Sequence, residues 1–309
     1  MPHRFDVIGF GALAIDDIVY VDRPLSAGKG KVTRREADHG GNVATALVAA
    51  ARLGGRVAYV GWLPEPADDI GGKELEREGV DISLAPRRTD ASPIRSIITV
   101  GPDGERFIAY DDDVPHGTAD TLSDAVLASA PVLIIDGYSI HSEEVVARGR
   151  KLGLSIVADI EWAVGAVTAR ILTIADHLVL PLAFGRQATG ETEPAAVLAR
   201  LWSPDRAAVV LTDGHHGSYI RQKDDPTLWH LPAYPVDAVD TTGAGDCFHG
   251  AYALALARGE APLASVAYAT AAAAISVTHR GGRKGLPKET VCRALMATEG
   301  APSPSPIPA

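Results

Sequence analysis

Four consecutive residues, Gly243, Ala244, Gly245 and Asp246, carry the most legible chemistry in this chain. Glycines and β-branched threonines crowd Thr241–Gly245, which suits a tight turn. Cys247 to Arg258 is small and apolar and reads as a buried helix that stops at Gly259. A turn almost bare of side chains thus feeds a helix start. Unpaired N–H groups and partial positive charge there make a place for an anion, above all for charge developing on a phosphoryl group. Asp246 stands at that positive end. Its carboxylate is expected to stay ionised and can take a proton from a hydroxyl. A lone first-turn Asp more often only complements the helix dipole. The glycines before this one cost local stability and count against so plain a role.

Other candidates are less specific. Phe5 to Phe10 reads as a central strand, and Asp16 beyond it reads by itself as a turn carboxylate. Gly9 to Ala14 mimics a dinucleotide fingerprint, but Ile18–Val21 reads as a strand where that motif needs a helix. A dehydrogenase is therefore set aside. His39-Gly40-Gly41-Asn42 precedes an alanine-rich helix, Val43–Leu53. Asn42 suits an N-cap, while the glycine pair lets a ligand reach the backbone. Thr212-Asp213-Gly214-His215-His216-Gly217 is either a strand-to-strand turn or a ligand loop. Its adjacent histidines are not expected to share a face or a metal.

The elements that must position these residues follow from pattern. Ile94–Val100 and Arg106–Tyr110 flank Gly101-Pro102-Asp103-Gly104, a hairpin signal. From Val132 to Leu211 strands and helices alternate, which implies a parallel sheet covered by helices. The basic, glycine-containing run Ser26–Arg35 reads as a solvated loop, and residues 298–309 as a flexible tail. The chain has 309 residues, 46% of them hydrophobic, enough for a large core. A net charge of −10 argues against nucleic acid as a partner. Two distant cysteines give no disulfide or zinc spacing, and no apolar run reaches membrane length, so a cytoplasmic setting is expected.

Asp240 to Asp246 closely resembles the C-terminal signature of the ribokinase-like (PfkB) sugar kinases, Asp-Thr-x-Gly-Ala-Gly-Asp. Gly40, Gly41, Asn42, Leu53 and Gly54 are similar to the N-terminal signature, without the insert often found between the glycines and Asn. The resemblance runs from Phe5 to about Ala297. It implies an α/β fold over 1–297, a three-layer α/β/α sandwich around a mainly parallel sheet, with a small β-sheet lid from about 12–37 and 93–112. It implies ATP-dependent phosphorylation of a sugar hydroxyl, with Asp246 as base and Gly243, Ala244 and Gly245 as the anion hole. Asp16, Gly40, Gly41 and Asn42 would hold the sugar. Thr212, Gly214, Gly217, Thr242, Gly245 and His279 would border the nucleotide. ATP and Mg²⁺ are the implied cofactors, with K⁺ as a candidate monovalent cation, and a homodimer through the lid is implied.

Asp246-Cys247-Phe248-His249-Gly250 and Gly281-Gly282-Arg283 look similar to the ketohexokinase and sulfofructose kinase subgroup. A ketohexose such as fructose is the expected substrate. Ribose, adenosine and sulfofructose stay open, as does a catalytically weak sugar- or nucleotide-binding protein. Sulfofructose kinases hold the sulfonate with a basic residue near the first lid strand, an Asn and an Arg. Lys29 can supply the first, but Ala109 and the region of Tyr138 stand at the other two places, with Arg95 and Arg106 as substitutes. One departure concerns metal. Many family members carry Asn-x-x-Glu where Pro181-Leu182-Ala183-Phe184 stands here, so no metal ligand is assigned and the metal is expected to enter with the nucleotide.

Overall fold

The computed structural model describes residues 3–103, 105–115, 117–118, 122–138, 142–162 and 165–308. Gly104 of the expected hairpin turn and Ala309 of the expected tail lie outside them. In chain order the elements begin with β1 (Val7–Phe10), β2 (Ala14–Val21), β3 (Val32–Gly40), α1 (Asn42–Arg52), β4 (Val57–Tyr59), α2 (Ile70–Arg77) and β5 (Val80–Asp81). Next come β6 (Ile94–Val100), β7 (Arg106–Asp111), α3 (Asp124–Leu127), β8 (Val132–Asp136), α4 (Ser142–Lys151), β9 (Ser155–Asp159) and α5 (Gly165–Ile174). The second half adds β10 (His177–Pro181), α6 (Leu182–Thr189), α7 (Pro194–Leu201), β11 (Ala208–Thr212), β12 (Ser218–Gln222) and β13 (Asp225–Leu231). It closes with α8 (Ala244–Ala257), α9 (Pro262–Ser276), α10 (Glu289–Met296) and β14 (Ser305–Ile307).

The main sheet has the order β14-β13-β12-β11-β10-β9-β8-β1-β4-β5. Strands β5, β4, β1, β8, β9, β10 and β11 pair in parallel, and β12, β13 and β14 are added antiparallel. The inner strands are unbroken apolar runs because both faces are covered. Val7 and Ile134 feed one core with α1, α8 and α9, while Ile8 and Leu133 feed the other with α4 and α7. Alternation along each strand thus splits the chain into the expected three layers.

A second sheet, β3-β2-β6-β7, forms the lid. Here the end of the polar run, Val32–Arg35, proves to be strand, while Gly28–Lys31 stays loop. Val32–Gly40 pairs antiparallel with β2, from Val21↔Val32 to Ala14↔Gly40. An edge strand with charged residues has no apolar alternation to betray it, and its charges suit an edge. Its partners are across the strand: Arg35 bonds Asp17, and Arg34 lies 3.9 Å over the Tyr20 ring. The expected tail also differs, since Ser305–Ile307 adds β14 to β13.

Candidate active site

The glycine turn expected to meet an anion sits between α8 and the loop after α9. Gly243 caps α8 at φ +73°, and a Cβ there would stand 2.5 Å from the Gly282 carbonyl oxygen. Only glycine accepts both the left-handed backbone and that approach. Asp240 braces the turn. Its Oδ1 accepts from the Thr242 N–H and hydroxyl at 3.0 and 2.7 Å, and its Oδ2 accepts from the Gly281 N–H at 3.0 Å. The helix therefore begins at Ala244, earlier than the apolar run alone suggests.

Below the turn three carboxylates converge. Asp159 ends β9, Glu161 follows two residues on, and Asp246 comes from α8. Their nearest oxygens all lie within 4.8 Å of one another. Asp159 is buried and its Oδ1 has no hydrogen-bond partner. His249 Nε2 stands 3.5 Å from that oxygen but 2.9 Å from the Val179 carbonyl. Asn42 does not cap α1; Gly41 occupies the cap position. The Asn42 amide instead donates to Asp159 Oδ2 and Glu161 Oε1, each at 3.3 Å.

This crowding works against the ionised Asp246 that the helix start favours. Burial first, and then the charges of Asp159 and Glu161, push its carboxyl well above the ordinary range, with Arg283 pulling the other way. Burial likewise raises Asp159, while Glu161, though its side chain reaches the surface, is raised by desolvation on its inner side and by the charge of Asp159. The positive helix end is outweighed: a macrodipole supplies about half a charge, against two neighbouring carboxylates. Neither Asp159 nor Glu161 was picked out from sequence. The signal available was an Asp closing an apolar strand, Ser155–Asp159, with a Glu two residues later.

A cavity of about 950 Å³ opens between the lid and the turn. Asp16, Asp38, Gly40 and Gly41 line it from one side and Thr242, Gly243 and Asp246 from the other. Gly41 has φ +89°, and a Cβ on it would lie 2.5 Å from the Ala12 carbonyl oxygen. Burial raises the Asp16 carboxyl; a Ser96 hydrogen bond opposes this, and the charge of Asp38 reinforces it. Arg34 and Lys284 at the rim both lean on Glu36, at 3.2 and 3.7 Å. Lys29, the candidate for one sulfonate contact, is exposed and is not among the lining residues.

A second, apolar cavity of about 250 Å³ lies across the turn. Thr212, Gly214 and Gly217 line it together with Ala244, Gly245 and Val277. The glycine-rich run is thus both a strand-to-strand turn, joining β11 to β12, and a cavity wall. Two expected residues stand elsewhere. Thr242 lines the lid-side cavity, with Thr241 in its place here, and His279 lines neither, its ring meeting the Thr278 hydroxyl at 2.9 Å. His215 and His216 do face each other, ring centroids 3.8 Å apart, because a short 3₁₀ turn brings them round.

The model of the pfkB family of carbohydrate kinases matches residues 5–289. This chain belongs to that family. It is 27% identical over 307 residues to the bifunctional protein HldE of Bradyrhizobium sp. (strain ORS 278), covering 90% of this chain and 61% of that protein. It is 28% identical over 321 residues to fructokinase-1 of Zea mays, covering 92% of this chain and 95% of that one. The chain thus spans less than two thirds of the first relative and almost all of the second. Arabidopsis thaliana ribokinase, solved with ribose and ATP, superposes with a TM-score of 0.82 at 20% identity, covering 97% of this chain and 100% of that one. The fold is ribokinase-like.

This pfkB chain also shows why its departure from Asn-x-x-Glu need not remove metal binding. Pro181 ends β10, Leu182 begins α6, and Phe184 is buried at 3% exposure, so that stretch offers no ligand. The oxygens that could hold one lie on Asp159 at the end of β9, on Glu161 just after it and on Asp246 of α8. The unpartnered buried Oδ1 of Asp159 and an all-carboxylate set fit a hard divalent cation.

Proposed function

We propose that the chain is an ATP-dependent kinase that transfers the γ-phosphoryl group to a hydroxyl of a small neutral sugar, a ketohexose such as fructose. One observation carries the proposal: two cavities of different character meet at Gly243–Asp246. The lid-side one holds Asp16, Gly41 and Asp246, whose polar groups suit a polyol. The apolar one, lined by Thr212, Gly217 and Val277, suits a purine base. Asp246 accepts the hydroxyl proton, and the backbone of Gly243–Gly245 faces the charge of the transferring group. Such a reaction needs mostly positioning and electrostatics. Asp159 and Glu161, with Asp246 beside them, would hold Mg²⁺. When bound, it supplies positive charge to the phosphate oxygens and relieves the carboxylates.

A neutral substrate is supported by the rim, where Glu36 partners both Arg34 and Lys284, and by the likeness to maize fructokinase-1. A homodimer through the lid is part of the proposal. Its support is Ile97 at 55% and Phe107 at 64% exposure on the outer lid face. The deciding experiment is ADP release with fructose, ribose, adenosine and sulfofructose. Fructose should give the highest kcat/KM. A higher value for sulfofructose would overturn the neutral-sugar assignment, and no turnover with any of them would favour a binding protein.

A further inference from the structure

One buried cation has no part in the reaction as described so far. Arg283 is 4% exposed. Its Nε donates to the Thr45 hydroxyl at 3.1 Å and its Nη2 to the Gly40 carbonyl at 2.7 Å. Its Nη1 is buried with no hydrogen-bond partner. Its own carbonyl accepts from Arg52 Nη1 at 2.7 Å, which pins the backbone. Two residues earlier, the Gly281 N–H donates to Asp240, and between them the Gly282 carbonyl lies against Gly243. One short loop therefore grips the glycine pair of the sugar side, helix α1 and the anion turn together.

The charges around Arg283 tell the same story. Asp246 favours its charged form most, followed by Asp38, Glu78 and Glu74. Burial pulls the guanidinium down to about 10, so it stays charged at neutral pH. Arg34 and Lys284 are more than half exposed and already lean on Glu36. A buried guanidinium with one nitrogen unpaired is expensive, and a merely packing role would be served better by an apolar side chain.

We propose that Arg283 is a positioning residue for phosphoryl transfer. It holds Gly40 and the anion turn in one register and gives Asp16, Asp38 and Asp246 the positive charge that lets them share a cavity. The inference rests on the sugar-kinase reading, so wild-type turnover is established first. Wild type that phosphorylates no sugar refutes that reading, not the role of Arg283.

With a turned-over sugar in hand, Arg283→Met, Arg283→Gln and Arg283→Lys are compared. The two neutral variants should lose roughly 10²-fold in kcat/KM for the sugar, while ADP binding, which uses the other cavity, stays within about threefold. Arg283→Lys restores the charge and should recover at least about tenfold of that loss. Should Arg283→Met fail to fold, Arg283→Gln, which keeps a donor for Gly40, carries the same expectation. A folded neutral variant within about threefold of wild type overturns the proposal. So does a loss that Arg283→Lys leaves unrepaired, since the charge given to Asp16, Asp38 and Asp246 would then carry none of the effect.

Discussion

At the residue scale, Asp246 has to be both crowded and useful. Its carboxyl is raised by burial and by Asp159 and Glu161, which makes it a stronger base once ionised and a poorer one while protonated. Asp246→Asn should lower kcat by roughly 10²–10⁴-fold and leave ATP affinity largely unchanged, as steady-state kinetics beside nucleotide titration will read. Near-normal kcat in that variant would end its assignment as base. Asp159 and Glu161 were invisible in sequence because a carboxylate at a strand end is common, and only the approach of α8 shows which of them meet.

At the scale of elements, the start of α8 separates two glycines that look alike in sequence. Gly243 combines φ +73° with a backbone oxygen 2.5 Å from any Cβ, so it serves the fold. At Gly245 a Cβ would find nothing nearer than Glu161 Oε1 at 4.0 Å, so the fold does not demand glycine there and the proposed function gives it a ligand to face. Gly243→Val should cost stability by about 1–3 kcal/mol, seen as a lowered Tm. Gly245→Val should melt close to wild type yet lose phosphoryl transfer by roughly 10²-fold. Normal turnover in folded Gly245→Val would reduce that glycine to a turn former. The signature itself was readable, because each residue's type is dictated by its immediate backbone. The lid strand β3 was not, because its residues face solvent on an edge and are ordered by pairing with β2.

At the scale of the whole molecule, the carboxylate cluster ties stability to pH. Asp159, Glu161 and Asp246 all have folded-state values raised above the ordinary one. The folded protein then keeps protons that the unfolded chain has released. Stability from these groups is full below their unfolded values, near pH 4, and is lost as pH rises through the raised values. In EDTA, Tm should therefore fall as pH rises above the ordinary carboxylate range. Glu161→Gln should flatten the fall and Mg²⁺ should reverse it. Parallel profiles for variant and wild type would count against the cluster. The lid makes a separate prediction. Ile97 and Phe107 share its outer face, since Ile97 pairs with Ala109 and Thr99 with Phe107. Ile97→Lys combined with Phe107→Ser should convert a dimer to a monomer by light scattering. Unchanged mass would place any interface elsewhere.

The sequence by itself determined the layered α/β architecture, the bare turn before α8 and the glycine pair before α1. Apolar runs, alternation and backbone demands are local properties, written in residue type and spacing. Only the tertiary structure decided which charges meet. Asn42 was placed on carboxylates 117 and 119 residues away, Thr242 and Thr241 were sorted to opposite cavities, and Arg283 was buried between the glycine pair and Asp246. Ionisation depends on distance and desolvation, and both are set by packing between segments that no spacing in the chain records.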